Sequence, residues 1–304
     1  MTTGTHDYVD DPRNADILIS VNGELLPRAK AVVSVFDSGF VLGDGVWEGL
    51  RLHNGQIPFL DQHMDRLYEG AKAIDLDIGM PPDALAGEIL KTTAANGMTS
   101  GVHIRLMVTR GVKATPYQDP RMTIGGPTIV IIPEHKEPKP AVVDRGIRLF
   151  TTHVRRGAPD VQDPKWNSHS KLNCIAACIQ AAKAGADEAL MLDPDGFVAT
   201  CNSTHFFIVR KGAVWTSTGD YCLLGITRQA VLDLCAQQGI PARETRFSLT
   251  QVYSADEAFV TGTFAGLVPV VDVDGRVIGE GTKGPVTARL TAAYGALINA
   301  LCPP

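Results

Sequence analysis

No segment of the 304-residue chain holds the roughly eighteen uninterrupted apolar residues that a membrane helix needs, so no such helix is expected. Basic residues are in the minority. Lys and Arg number 28 against 33 Asp and Glu, a formal net charge of -5, which leaves no surplus to neutralise a run of phosphates and argues against a nucleic-acid partner. Metal-ligand spacing is also missing. Cys174 and Cys178 lie one helical turn apart, but no paired His or Cys stands at zinc spacing elsewhere, so buried thiols are expected there and no metal. Met1 to Ala15 lacks a basic stretch leading into an apolar run and does not read as a secretory signal. The six cysteines, spread through the second half of the chain, suit reduced thiols in a cytoplasm. Neither an internal repeat nor a low-complexity tract is present.

What the chain does have is the composition of an ordinary globular protein, 44% hydrophobic and 20% charged, at a length that implies two domains. Asp16 to Val35 reads as a hairpin, with Asn22-Gly23 as its turn and a Val-rich second strand at Ala31 to Phe36. Another hairpin turn is expected at Asn54-Gly55. From Asp61, placed to cap a helix, Leu60, Met64, Leu67, Ala71 and Ile74 recur at helical spacing up to about Asp75. Ala84 to Asn96 reads as a helix, and His103 to Thr109 and Thr128 to Ile132 as strands. Pro133 to Pro140 has linker composition. The spacing therefore predicts an α+β protein with a smaller N-terminal domain over 1–133, a linker over 134–145 and a larger domain over 146–304.

In that second part, Ile147 to Val154 reads as a strand. Leu172 to Ala184 reads as a helix, with Leu172, Ile175, Ala176, Ile179 and Ala182 on one face. Ala189 to Leu192 and Phe206 to Val209 bracket a turn at Asp193 to Gly196. Arg228 to Gln238 is a helix opened by Thr227, Ala258 to Thr261 and Val268 to Val273 are strands, and Pro285 opens a last helix.

Three places look built to hold an anion. Leu224-Gly225-Ile226-Thr227-Arg228 runs into a helix whose first N–H groups face outward, with a hydroxyl at the expected cap. Thr261-Gly262-Thr263-Phe264-Ala265-Gly266 follows an apolar strand with small residues that let backbone amides approach a ligand. Arg66 lies off the apolar face of its helix.

These stretches fall in a recognisable order: Asp37-Ser38-Gly39-Phe40, Gly43 to Glu48, His63-Met64-Asp65-Arg66-Leu67, Gly185 to Ala189, Gly225 to Arg228, and Thr261-Gly262-Thr263. The chain resembles the class IV aminotransferases, which include branched-chain and D-amino-acid aminotransferases, (R)-amine transaminases and aminodeoxychorismate lyase. The resemblance spans Asp16 to Leu301. It implies the fold-type IV architecture, two α/β domains with pyridoxal 5'-phosphate (PLP) in the cleft between them, usually as a homodimer. The implied activity is transfer of an amino group between a small amino acid or amine and a 2-oxo acid. Residue by residue, it implies that Arg66, Thr227, the amides of Ile226 and Thr227, and Thr263 hold the cofactor phosphate. Trp47, Phe264 and Ala265 would line the substrate.

Some positions depart from the family pattern. Counting back from Gly185, the family's Schiff-base lysine falls on Asn167, with Lys165 and Lys171 on either side; Lys171, at the expected helix start, is the preferred substitute. Thr200 stands where the family has a Glu against the pyridine nitrogen, and His205 where Asn is usual. A hydroxyl facing an unprotonated ring would make a weaker electron sink, which gives weight to lyase or racemase chemistry, or to binding without turnover. Thr115 and Tyr117 replace the D-amino-acid enzymes' carboxylate-binding pair, leaving Arg110 and Lys113 as unassigned candidates.

Overall fold

The computed structural model describes Thr5, His6 and Asp10 to Pro304. Two compact units emerge. The N-terminal unit holds the described residues up to Glu137 apart from Thr5 and His6, together with Trp166–Lys171 and Leu301–Pro304. The C-terminal unit holds Pro138–Lys165 and Leu172–Ala300.

The N-terminal unit runs β1 (Leu18–Val21), β2 (Glu24–Pro27), α1 (Ser38–Leu42), β3 (Gly45–Leu52), α2 (Leu60–Ala73), α3 (Pro82–Ala95), β4 (Val102–Thr109) and β5 (Thr128–His135). Its five strands form an antiparallel sheet in the order β2-β1-β5-β4-β3. The β1–β2 turn is Asn22-Gly23, with both residues at positive φ, 51° and 84°, as a tight hairpin requires. Alternation along β3 turns Val46, Leu50 and Leu52 into a core shared with Met64, Leu67 and Ala71 of α2.

Several expectations need correction here. The second hairpin strand is Glu24–Pro27, not Ala31 to Phe36: after a short 3-10 turn, Val32, Val33, Val35 and Phe36 are exposed and outside any strand. Their β-propensity finds no partner strand among the described residues. Asn54-Gly55 does turn, but is closed only by a single bridge between His53 and Gln56. Asp61 sits inside the first turn of α2, where its charge suits the helix dipole; the cap position belongs to Phe59. In the Pro-rich stretch at 133–140, β5 continues through His135 and a helix starts at Pro140, with residues 136–139 between them in no regular element. Pro133 is tolerated in β5 because it lies past the end of the β1–β5 pairing, where the strand has a single neighbour.

The C-terminal unit runs α4 (Pro140–Arg145), β6 (Ile147–Thr151), α5 (Pro159–Gln162), α6 (Leu172–Lys183), β7 (Glu188–Leu192), β8 (Val198–Cys201), β9 (His205–Arg210), β10 (Ala213–Thr216), α7 (Ile226–Gln237), β11 (Ala242–Glu244), α8 (Leu249–Tyr253), β12 (Glu257–Gly262), β13 (Gly266–Val273), β14 (Arg276–Val277) and α9 (Pro285–Leu301). Its mixed sheet has the order β11-β10-β9-β12-β13-β6-β7-β8, with β14 beside β13. The central strands of this sheet are buried along most of their length, β7 and β8 entirely, whereas β11 and β14 are exposed; the buried ones read as continuous apolar runs rather than as alternation. In α6 the small residues Ala177 and Ala181 face the core, while Leu172, Ile175 and Ile179 are exposed. No described helix is long and apolar enough to cross a membrane.

Candidate active site

Two consecutive residues of β3 organise the site in the N-terminal unit. Glu48 faces inward and is fully buried. Its carboxylate accepts two parallel bonds from Arg66, Nε to Oε1 at 2.8 Å and Nη2 to Oε2 at 2.7 Å, while His63 Nδ1 lies 2.7 Å from Oε2. His63 and Arg66 reach the same carboxylate because residues three apart on α2 share a face. Burial alone would raise the Glu48 carboxyl, but the Arg66 charge and the hydrogen bonds of His63 and Arg66 outweigh it and hold the carboxyl at about 2. The forked pairing fixes the plane of the Arg66 guanidinium.

Trp47, the preceding residue, points to the opposite face. The Arg105 guanidinium of β4 lies 3.8 Å from its ring centroid and the Lys171 ammonium 5.2 Å, both within cation–π range. No described carboxylate pairs with Arg105, and burial lowers its pKa although Glu134 and Glu48 act against that.

Residues 166–171 run along β3, the edge strand of the sheet. Trp47 N donates to Asn167 O, His169 N to Gly45 O, and Trp47 Nε1 to Ser168 O. His169 Nε2 sits 2.9 Å from Val46 O, and burial lowers the pKa of its ring. The close approach depends on Gly70 of α2, where an added Cβ would come within 2.6 Å of Trp166 O. Asn167 has φ 44°, a conformation that Asn tolerates better than most residues. Its Nδ2 donates to Trp47 O at 2.6 Å and faces Glu48 Oε1 at 3.4 Å. Lys171 Nζ donates to Asn167 Oδ1 at 3.2 Å. Lys165, by contrast, is exposed in a 3-10 turn.

In the C-terminal unit, Thr200 lies buried on β8 and its hydroxyl donates to Thr204 O at 2.9 Å. The turn between β8 and β9 is held by Glu188, whose Oε1 accepts from Ser203 N, Ser203 Oγ and Thr204 Oγ1 at 3.0, 2.6 and 2.9 Å. His205 packs against Gly225, where a Cβ would fall 2.2 Å from the ring. The helix after Gly225 opens differently from the expectation. Gly225 itself is the cap and no side chain caps the end, with Thr227 already in the first turn. The amides of Ile226 and Thr227 enter no hydrogen bond among the described residues, and neither does the Thr263 hydroxyl. Phe264, in the β12–β13 loop, is buried and stacks on His6 at 4.8 Å.

The family model for class IV amino-transferases matches residues 45–273. The chain belongs to the class IV aminotransferases. It is 44% identical over 285 residues to branched-chain-amino-acid aminotransferase-like protein 2 of Arabidopsis thaliana, covering 93% of this chain and 50% of that one. The chain thus spans about half the length of that relative. It is 41% identical to a putative branched-chain-amino-acid aminotransferase of Methanocaldococcus jannaschii, over 91% and 94% of the two chains. Among solved structures, the branched-chain amino acid aminotransferase of Escherichia coli superposes with a TM-score of 0.87 at 27% identity, covering 93% of this chain and 94% of that one. Another branched-chain amino acid aminotransferase, solved as a complex with N-(5'-phosphopyridoxyl)-L-glutamate, gives a TM-score of 0.86 at 32% identity over 94% of each chain.

In this class IV aminotransferase the residues expected from sequence fall into two groups. Trp47, Arg66 and Lys171 gather around β3 of the N-terminal unit; Thr200, Ile226, Thr227, Thr263, Phe264 and Ala265 belong to the C-terminal unit. The unassigned Arg110 is occupied in the N-terminal unit: it binds Asp44 through two bonds and the carbonyls of Ile74 and Asp75 through two more. Lys113 is buried on Asp119 O. Glu48, His63, Arg105 and Asn167 are additions. The His63–Arg66 spacing is the signal for the first pair, since two such side chains on one helix face ask for a shared acceptor.

Proposed function

We propose that the chain is a PLP-dependent aminotransferase that moves an amino group between a small amino acid or amine and a 2-oxo acid. The observation that carries this reading is that adjacent residues of β3, Trp47 and Glu48, hold Lys171 and Arg66 respectively. The residues fit the cofactor: the uncapped amides of Ile226 and Thr227 and the unpartnered Thr263 hydroxyl suit a phosphate, and Arg66 brings a guanidinium whose plane Glu48 has already fixed. When bound, PLP supplies an aldehyde that reacts with amines and a ring that draws off the electrons freed at the substrate's α-carbon.

Lys171 is the residue that carries the cofactor and holds the mobile proton at Nζ. Thr200 faces the ring nitrogen. Because its single hydroxyl proton goes to Thr204 O, it offers lone pairs there and suits a protonated nitrogen, which favours amino transfer over lyase or racemase chemistry. Trp47, Phe264 and Ala265 border the substrate, and Arg105, which no described carboxylate neutralises, supplies a cation for a substrate carboxylate. The enzyme is a cytoplasmic homodimer. Val32 at 73%, Val35 at 67% and Phe40 at 72% exposure form the kind of apolar surface that a second copy buries.

Borohydride treatment of the PLP-loaded protein followed by peptide mapping is expected to place the pyridoxyl group on Lys171. Label on Lys165, or none, refutes that assignment. Arg66→Ala and Thr227→Ala are each expected to weaken PLP binding about tenfold, the loss of roughly one charge-assisted contact. Unchanged affinity in both variants refutes the phosphate assignment.

A further inference from the structure

We infer that Asn167 is the positioning residue of Lys171. Its side chain has one orientation that satisfies its neighbours. Nδ2 is claimed by Trp47 O at 2.6 Å and lies 3.4 Å from Glu48 Oε1, so the amide oxygen must point the other way, and there it receives Lys171 Nζ at 3.2 Å. The backbone is fixed as well, by the bond from Trp47 N to Asn167 O. The amide is therefore held from two sides before the lysine meets it.

The arrangement gives the amine a defined place four residues from Asn167 and over the face of Trp47. Charged and titratable groups of the N-terminal unit close to this arrangement include Arg105 on β4, over the same Trp47 ring, His169 on the same segment, and Glu48 on β3, which holds His63 and Arg66 of α2. Glu48 is already engaged by Arg66 and His63, while Arg105 shares the Trp47 ring with the lysine. The acceptor that Asn167 offers is uncharged, so it orients the amine without adding a negative charge of its own. This deepens the reading of Lys171 as the cofactor-carrying residue and rests on it for its catalytic meaning, though not for its test.

The test is competitive acetylation of the full chain across pH, after hydroxylamine has removed bound cofactor, with the reactivity of each lysine read by peptide mass. Asn167→Gly suits the positive φ and keeps the backbone bond but deletes the amide. Its Lys171 midpoint is expected to fall by about half a unit, so that labelling near neutral pH rises about threefold. Asn167→Asp places a carboxylate against the ammonium and is expected to raise the midpoint by roughly one unit. Lys165 and Lys183 serve as internal references that do not move. Should Asn167→Gly fold poorly, Asn167→Asp alone decides by the upward shift. Identical Lys171 midpoints in the wild type and the folded variants overturn the inference and reduce Asn167 to a structural link on the sheet edge. Shifted midpoints in a protein whose Lys171 takes no pyridoxyl label support the positioning role and refute the cofactor-carrying one.

Discussion

Glu48 of the N-terminal unit and Glu188 of the C-terminal unit are both buried, and the two are treated in opposite ways. Glu48 meets a guanidinium and an imidazole and is held far on the acid side, at about 2. Glu188 meets only neutral donors, Ser203 and Thr204, and burial pushes its carboxyl up in spite of their bonds. Its Oε2 has no hydrogen-bond partner. Equal burial therefore does not set the charge of a carboxyl; the charge of its partners does. The N-terminal unit uses an ionised carboxylate to aim Arg66. The C-terminal unit uses a carboxyl as a hinge pin for the turn that carries Thr204.

The largest effect that sharpens this contrast is expected from Glu48→Gln, which leaves the largely buried Arg66 without a counter-charge. Breaking a buried pair in this way costs about 3 kcal/mol or more, seen as a lower urea midpoint at neutral pH. The pH dependence should also change. Because the folded Glu48 carboxyl titrates below its ordinary value of 4.5 and near 2, its stabilisation is full above pH 4.5 and is lost as the pH falls towards 2. That acid-side loss should shrink in Glu48→Gln; an unaltered acid limb would mean that the pair contributes nothing to folding.

Glu188→Gln is expected to have the opposite sign. A carboxyl whose folded value lies above its ordinary 4.5 withdraws stability as the pH rises through the folded value, and an amide removes that cost. Stability at neutral pH should hold or rise by about 1 kcal/mol, with a flatter profile above pH 4.5. A loss comparable to that of Glu48→Gln would show that the two sites work alike. The smallest effect is expected from Thr200→Val. It removes one of two hydrogen bonds to the Thr204 carbonyl, which keeps the one from Cys201 N, and costs about 1 kcal/mol or less in urea unfolding, with no change in pH dependence because no ionisable group is touched.

The same two regions differ in how much their sequence discloses. The β1–β2 turn, α2 and α7 are readable because Asn-Gly and helical spacing are local signals. Val32 to Phe36 misleads because β-propensity describes fitness for a paired surface, and no described strand pairs with it there. β8 escapes notice because its four residues lie between a turn and β9. The cap at Gly225 is easily misplaced onto Thr227 because a hydroxyl is the commoner signal and glycine caps without a side chain. Among the candidate residues, Arg66, Ile226 and Thr227 stand out through their motifs. The role of Asn167 cannot, since its partners Trp47 and Glu48 are 120 and 119 residues away in sequence.

That distance bears on how the protein is made. β3 lies at the end of its sheet, and the segment that covers its outer rim, 166–171, is joined to it across some 120 residues. During synthesis the whole five-stranded sheet can emerge and pair while this rim still shows unmatched backbone groups, an invitation to wrong partners until the later residues arrive. That exposed edge is closed when residues 166–171 dock, Asn167 meeting Trp47 through its carbonyl and side-chain amide and His169 N meeting Gly45 O.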